Sequence, residues 1–142
     1  MRQHHEELTP DDGSLLVIAP SKGQMVNQFN DLFGPFPFPI YGDPARSAYK
    51  GMNLKTMGKA KLLTMAGAAF VSGKVKGFIP DQKKQKDFVM KSMKTQDVYI
   101  QGGAWLFDDN KNVAYKHIDA SPDDHAKIPT LIQEVNNLKQ HQ

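Results

Sequence analysis

The chain has 142 residues, enough for one domain and too few for two full ones. Apolar residues make up 39% and charged residues 23%, and the net charge is +3, values of an ordinary folded protein. The sequence contains no apolar run of the ~18 residues that a membrane span needs, and Met1 leads straight into polar residues. We therefore expect a single cytoplasmic domain over residues 1–142.

The cysteine count is zero. This excludes a disulfide, a thiolate metal site and a cysteine nucleophile within these residues. The seven methionines are typical of flexible core filler. Lysines are spread through "KTMGKAKL", "GKVKG" and "DQKKQKD", a pattern that favours a solvated helix face. Weak nucleic-acid binding stays only as a second alternative.

The first half of the chain predicts the order β-α-β-α. Residues 14–20, "SLLVIAP", form a short apolar run typical of a strand buried on both faces. An amphipathic helix follows; Ser21 and Gln24 have the spacing of a capping box, and Gly34 can end this helix. Residues 38–41 predict a short extended segment. Asp43 then caps a helix over residues 44–51 with Pro44 at its first position, so the two strands are parallel with a right-handed crossover.

The second half predicts covering helices, a hairpin and a terminal helix. Residues 56–79 indicate one long helix or a pair of helices over the sheet, and residues 80–96 a short helix. Tyr99–Phe107 predicts one strand, "DDNKN" a turn and Val113–His117 the returning strand. The last helix has Pro129 in its first turn, where a missing N–H does no harm, and its apolar stripe comprises Ile128, Leu131, Ile132, Val135 and Leu138.

Two clusters of histidine and acidic residues invite a reading as metal or acid–base sites. His4 and His5 lie beside two glutamates, but adjacent side chains on a helix point ~100° apart and cannot both bind one ion. The second cluster comprises His117, Asp123, Asp124 and His125. It could serve acid–base or metal chemistry, or one of its aspartates could cap the last helix. Capping is the favoured interpretation, and we predict no metal, no cofactor and no catalytic residue.

Two further sites involve backbone geometry. Asp43 and Arg46 could form an ion pair or a small-anion site, although an N-cap beside a solvent-facing arginine is favoured. Gly102 and Gly103 are not followed by the G-x-G-x-x-G spacing of a phosphate loop. They predict a close backbone approach or a bulge where the strand begins.

Two blocks carry a resemblance to a known family. "YGDPARSAYKGMNL" resembles the D-P-x-R-x-x-Y-K-x-L-x-L block of peroxiredoxin-like AhpC/TSA proteins. "DVYIQGGAWLFDDNKNVAYKHIDASPDDHA" is similar to that family's second signature, a Q-x-G-G-type strand entry, a hairpin, and then a His and a D-H pair. The resemblance covers residues 14–138. It implies an α/β, thioredoxin-like sandwich of two or three layers around a mixed sheet.

The resemblance also implies what this chain lacks. Family members begin with a strand followed by a reactive cysteine at the start of the first helix, whereas this chain starts inside that helix. The resemblance places Asp43, Arg46, Gln101, Gly102 and Gly103 on the face that would look at the missing thiols. We expect either an N-terminally truncated product, which the polar stub before Ser14 favours, or a genuine cysteine-less relative.

The functional expectation follows from the family. The resemblance implies thiol-dependent redox or antioxidant chemistry, which a chain without cysteine is not expected to perform. The alternative is a non-catalytic interaction module, in which the sheet edge left by the missing strand binds a second copy or another protein.

Overall fold

A computed structural model of the chain describes residues 1–11, 13–58, 82–95, 98–121 and 124–140. A 3-10 turn over Arg2–His4 and a short helix α1 (His5–Leu8) come first. The described elements that follow are, in chain order, β1 (Val17–Ala19), α2 (Gly23–Phe33), β2 (Ile40–Gly42), α3 (Ser47–Gly51), β3 (Thr56–Gly58), α4 (Lys83–Thr95), β4 (Val98–Ile100), β5 (Gly103–Phe107), β6 (Val113–Ile118) and α5 (Ile128–Gln140). No helix in these ranges is both long and apolar enough to cross a membrane.

The first two strands are parallel, as predicted, and α2 connects them. Val17 pairs with Ile40 and Ala19 with Gly42. The expectation that β1 is buried on both faces is wrong, because Ile18 remains 37% exposed. Alternation along the strand turns Val17 and Ala19 towards α2 and Ile18 away from it.

Helix α2 is set by its apolar stripe and ended by a glycine. Its N-cap is Lys22, without a side-chain cap, so the predicted capping box of Ser21 and Gln24 does not form. Gly34 is the C-cap, as predicted, and its N–H bonds to the carbonyl of Asn30 at 2.8 Å. A Cβ atom at Gly34 would collide with that carbonyl oxygen, which explains why the helix ends on a glycine.

Helix α3 begins later than the sequence predicts. It starts at Ser47, so Pro44 lies in the preceding turn and not at the first helical position. Arg46 has a left-handed backbone with φ of 58°. Asp43 still caps the helix, because its carboxylate accepts hydrogen bonds from the backbone N–H groups of Ser47 and Ala48, both at 2.9 Å.

Strands β3 and β4 form an antiparallel pair that the sequence interpretation missed. Thr56–Gly58, expected as the start of a covering helix, pairs with Val98–Ile100. The predicted single strand Tyr99–Phe107 is also wrong, since it is divided between β4 and β5 at Gln101 and Gly102. Residues 59–81, where most of the covering helices were expected, lie outside the described residues.

The hairpin of β5 and β6 is confirmed, with Gly103 opposite Ile118 and a register shift at Leu106 and Phe107. Its turn spans "DDNKN". The Asp108 carboxylate accepts the backbone N–H of Asn112 at 2.7 Å and its side-chain N–H at 3.1 Å. This local bonding explains why an Asp- and Asn-rich connection closes the hairpin.

The core is built from helix stripes and an aromatic cluster. Helix α5 is confirmed, with Leu131 and Val135 buried. The only other apolar side chains classed as buried within the described ranges are Val26 and Phe38. The aromatic cluster joins α2, the loop after it and α4, and comprises Phe29, Phe33, Phe36, Phe38 and Phe88.

The described strands form three two-stranded sheets, one parallel and two antiparallel. Helix α2 covers β1 and β2, and Phe88 of α4 reaches the same side. An apolar pocket of about 250 Å³ remains between them. The other surface of the β1–β2 pair is left open, with Leu16 52% and Tyr41 56% exposed.

Candidate functional site

Gln101 lies between β4 and β5 and forms hydrogen bonds with residues next to β3 and β6. Its backbone N–H donates to the carbonyl of Lys55 at 2.9 Å, and its side-chain oxygen accepts the N–H of Lys55 at 3.0 Å. Its side-chain nitrogen donates to the carbonyl of Asp119 at 2.7 Å. The residue therefore links the entry to β3 with the end of β6.

Close packing explains the two glycines after Gln101. A Cβ atom on Gly102 would lie 2.6 Å from Oδ2 of Asp119, and one on Gly103 would lie 2.6 Å from the carbonyl oxygen of His117 and 2.7 Å from the indole of Trp105. The carbonyl of Gly102 also accepts the N–H of Asp119 at 3.0 Å. The prediction of a close backbone approach is thus confirmed.

Asp119 is the buried acidic residue at the centre of this corner. It is 4% exposed, and no other charged or polar residue in the described ranges is classed as buried. Its Oδ2 lies 2.8 Å from Nδ1 of His125, and its Oδ1 lies 3.6 Å from Nε2 of His117. The sequence interpretation did not include Asp119. The available signal was its position two residues after His117, which places both on one face of an extended strand.

His117 and Asp124 close the loop that precedes α5. Nε2 of His117 lies 3.0 Å from the carbonyl oxygen of Asp124 and 3.7 Å from its Oδ2. That carboxylate accepts the N–H of Ala120 at 2.8 Å. These bonds tie Asp124 to the end of β6 and do not cap α5, so Asp124 is not the predicted cap. Asp123 lies outside the described residues.

We call the set Gln101, Gly102, His117, Asp119 and His125 the β5–β6 corner. It brings together two parts of the sequence that were treated separately, the glycine pair and the histidine–aspartate cluster. Asp43 and Arg46 belong to a different group. No hydrogen bond or ion pair between described residues joins Asp43 or Arg46 to the β5–β6 corner. The backbone N–H of Arg46 donates to the carbonyl of Asp43 at 3.0 Å, and no ion pair between their side chains is present among the described residues.

Tyr49 completes the second group. Its hydroxyl donates to the carbonyl of Ile18 at 2.7 Å, which satisfies a polar atom on β1. Burial, together with the negative charge of Asp43, raises the pKa of Tyr49 from its ordinary value of 10.0 to about 12. The phenol is therefore a protonated hydrogen-bond donor at neutral pH, which is a structural role.

The N-terminal histidines have separate partners. Nδ1 of His4 lies 2.6 Å from Oε1 of Glu7, while His5 stacks on Phe38 and lies 3.5 Å from the hydroxyl of Thr9. Within the part of the chain that the structure describes, no group of three His, Asp or Glu residues is arranged to hold a metal ion.

The comparisons with known proteins agree with the two sequence blocks. A family model described as AhpC/TSA antioxidant enzyme matches residues 2–121, which include the β5–β6 corner up to Asp119 as well as Asp43 and Arg46. No curated protein and no solved structure matches the chain. The mixed α/β content with parallel and antiparallel pairs is compatible with the thioredoxin-like fold of that family. The chain belongs to the AhpC/TSA antioxidant enzyme family.

Proposed function

We propose that this chain is an AhpC/TSA relative without thiol peroxidase activity of its own. The observation that carries the proposal is the absence of cysteine from all 142 residues. A thiolate is the nucleophile that attacks a peroxide in thiol-based reduction, and no other side chain forms the disulfide that a thiol reductant resolves. Peroxide can oxidise methionine to its sulfoxide, but a simple thiol does not reduce the sulfoxide back to methionine. That step needs a methionine sulfoxide reductase.

The surroundings of the β5–β6 corner support this proposal. We infer from the family resemblance that Gln101, Gly102 and Gly103 lie on the thiol-facing side. Here the Gln101 side chain is bonded at both ends, and the Asp119 carboxylate and the Trp105 indole occupy the space beside the glycines. These groups stabilise the corner and offer no thiol.

The test is peroxide consumption with a thiol reductant in excess, measured against a buffer blank and with a chelator present to remove trace metal. We expect the blank rate, accompanied at most by stoichiometric methionine oxidation that mass spectrometry identifies as added oxygen. Repeated turnover that scales with protein concentration would contradict the proposal.

A second candidate function is protein interaction through β1 and β2. Ile18 and Tyr41 are cross-strand partners on one surface, and Leu16 lies on the same side of β1; all three are exposed. Val17 and Ala19 bond to β2 through their backbone, so the N–H and carbonyl of Ile18 point to the other edge of β1. No described strand pairs with that edge, although the Tyr49 hydroxyl bonds to the Ile18 carbonyl there. An exposed strand edge beside an apolar surface is suited to pairing with a second copy of the chain.

Light scattering over a concentration series tests this candidate. We expect self-association. Tyr41→Lys should weaken it and raise the dimer Kd at least about tenfold, because a buried charge at a small interface costs more than 1.4 kcal/mol. The matched control is Met90→Lys, which alters another exposed apolar residue outside this surface. A strict monomer at all concentrations, or equal weakening by both variants, would exclude self-association through this surface.

A further inference from the structure

The contact between Asp119 and His125 has the geometry of a carboxylate–imidazole dyad. The carboxylate is buried, and its Oδ2 lies 2.8 Å from Nδ1 of His125. The imidazole itself is 70% exposed. One nitrogen of His125 therefore faces a buried anion, while the ring as a whole is open to solvent.

The partner of Nδ1 determines the tautomer of His125. A carboxylate only accepts hydrogen bonds, so the nitrogen that contacts it must carry the proton. In the neutral ring the other nitrogen, Nε2, is then the one with a lone pair. No described residue bonds to Nε2 of His125, and the exposure of the ring gives small molecules access to it.

The other histidine in the corner cannot take this role. Nε2 of His117 lies 3.0 Å from the carbonyl oxygen of Asp124, which is also only an acceptor. His117 must therefore use Nε2 as a donor, and its side chain is 25% exposed. It joins the end of β6 to Asp124, the residue before His125.

The chain contains an internal comparison for this dyad. His4 contacts Glu7 through the same nitrogen, at 2.6 Å, but the Glu7 side chain is 55% exposed whereas that of Asp119 is 5% exposed. Water and salt screen an exposed carboxylate strongly, and a buried one much less. Only the Asp119 carboxylate is therefore placed to fix the ring and stabilise a positive charge on it.

We propose that His125 is a reactive base and nucleophile towards small activated acyl and carbonic esters, with Asp119 as its positioning residue. The Nε2 lone pair attacks the carbonyl carbon, and the bond from that carbon to the leaving oxygen breaks, releasing an alkoxide, a phenolate or, from a pyrocarbonate, an alkyl carbonate. The ring then carries the acyl group on Nε2, the original proton on Nδ1 and one positive charge. Water attacks the same carbon, which yields the carboxylic acid (or the carbonic monoester) and a released proton and restores the neutral ring.

The buried carboxylate contributes at two points of this sequence. It keeps the proton on Nδ1 before attack, so that Nε2 is the reacting atom. When the acylated ring carries its positive charge, the carboxylate beside it, 2.8 Å from Nδ1, attracts and stabilises that charge. This reactivity is independent of the proposed lack of peroxidase activity, since it involves no thiol and no peroxide.

The experiment uses the intact chain and diethyl pyrocarbonate, an activated carbonic ester that labels imidazole nitrogen. Peptide mapping by mass spectrometry gives a separate labelling rate for each histidine. We expect His125 to react at least about tenfold faster than His4, a conservative figure beside the ~10²–10⁴-fold that a positioned acid–base group contributes. Equal rates at the two residues would overturn the proposal.

Two variants separate the roles of the dyad. Asp119→Asn is expected to lower the rate at the His125 position to that of His4, and His125→Gln to remove hydrolysis of p-nitrophenyl acetate above the free-imidazole background. The unmodified chain provides a readout that does not depend on the folding of either variant. Its ¹⁵N spectrum should show the Nδ1–H tautomer of His125, and a dominant Nε2–H tautomer would refute the dyad.

Discussion

Replacing Gly102 with alanine tests whether close packing, and not backbone flexibility, explains the glycine. The added Cβ would lie 2.6 Å from Oδ2 of Asp119, well inside normal contact distance. The carboxylate must shift, which weakens its 2.8 Å hydrogen bond to His125. A hydrogen bond to a charged group contributes about 1.5–3 kcal/mol, and the lower entropy of unfolded alanine offsets about 0.4–1 kcal/mol. We expect a net loss of about 1–2 kcal/mol in the free energy of unfolding.

Urea or thermal unfolding followed by circular dichroism measures this loss. For a chain of this size we expect Tm to fall by roughly 3–8 °C. Gly23→Ala is the matched control, because a Cβ there meets nothing within 4 Å. It should be neutral or stabilising by up to about 1 kcal/mol.

A double variant isolates the contact. In an Asp119→Ala background the carboxylate is gone, so adding Gly102→Ala should cost less than about 0.5 kcal/mol. If Gly102→Ala is as stable as Gly23→Ala, or if its cost persists without the carboxylate, the packing argument fails.

Three further predictions concern the second group and the surface. Tyr49→Phe removes the hydrogen bond to Ile18 and should lower the free energy of unfolding by about 1 kcal/mol. It should also abolish the tyrosine ionisation near pH 12 that ultraviolet absorbance detects. The raised pKa favours the protonated phenol in the folded chain, so this stabilisation is present below about pH 10 and lost as pH rises through about 12; titration at pH 10 would refute it. Asp43→Ala should cost about 0.5–2 kcal/mol of unfolding free energy through the lost cap of α3, with Asp43→Asn recovering part of it. On a polyanion column the chain should elute at low salt, whereas retention that falls steeply with salt would revive nucleic-acid binding.

Local patterns were sufficient for several elements. The helical stripe around Leu131 and Val135, the glycine that ends α2 and the Asp- and Asn-rich hairpin turn all act over a few neighbouring residues. These elements are stabilised by periodic burial, short capping bonds and turn conformation, and each of these can be predicted from the local sequence. The predicted parallel order of β1 and β2 follows from the same local logic.

Other predictions failed where distant residues decide. Thr56–Gly58 carries no strong strand signal of its own, and it becomes a strand because Val98–Ile100 bonds to it. The same pairing, with the bonds of Gln101 to Lys55 and Asp119, breaks the expected strand after Ile100.

The sequence by itself determined the family, the absence of a thiol and the glycine pair that suggests a close approach. Only the tertiary structure decided what approaches those glycines. Asp119 follows the end of β6, where the sequence gives no sign of burial. It is buried because its carboxylate packs against Gly102 and contacts His125, which comes six residues later. A buried charge is tolerated only with such partners, and partners far apart in sequence are set by the fold.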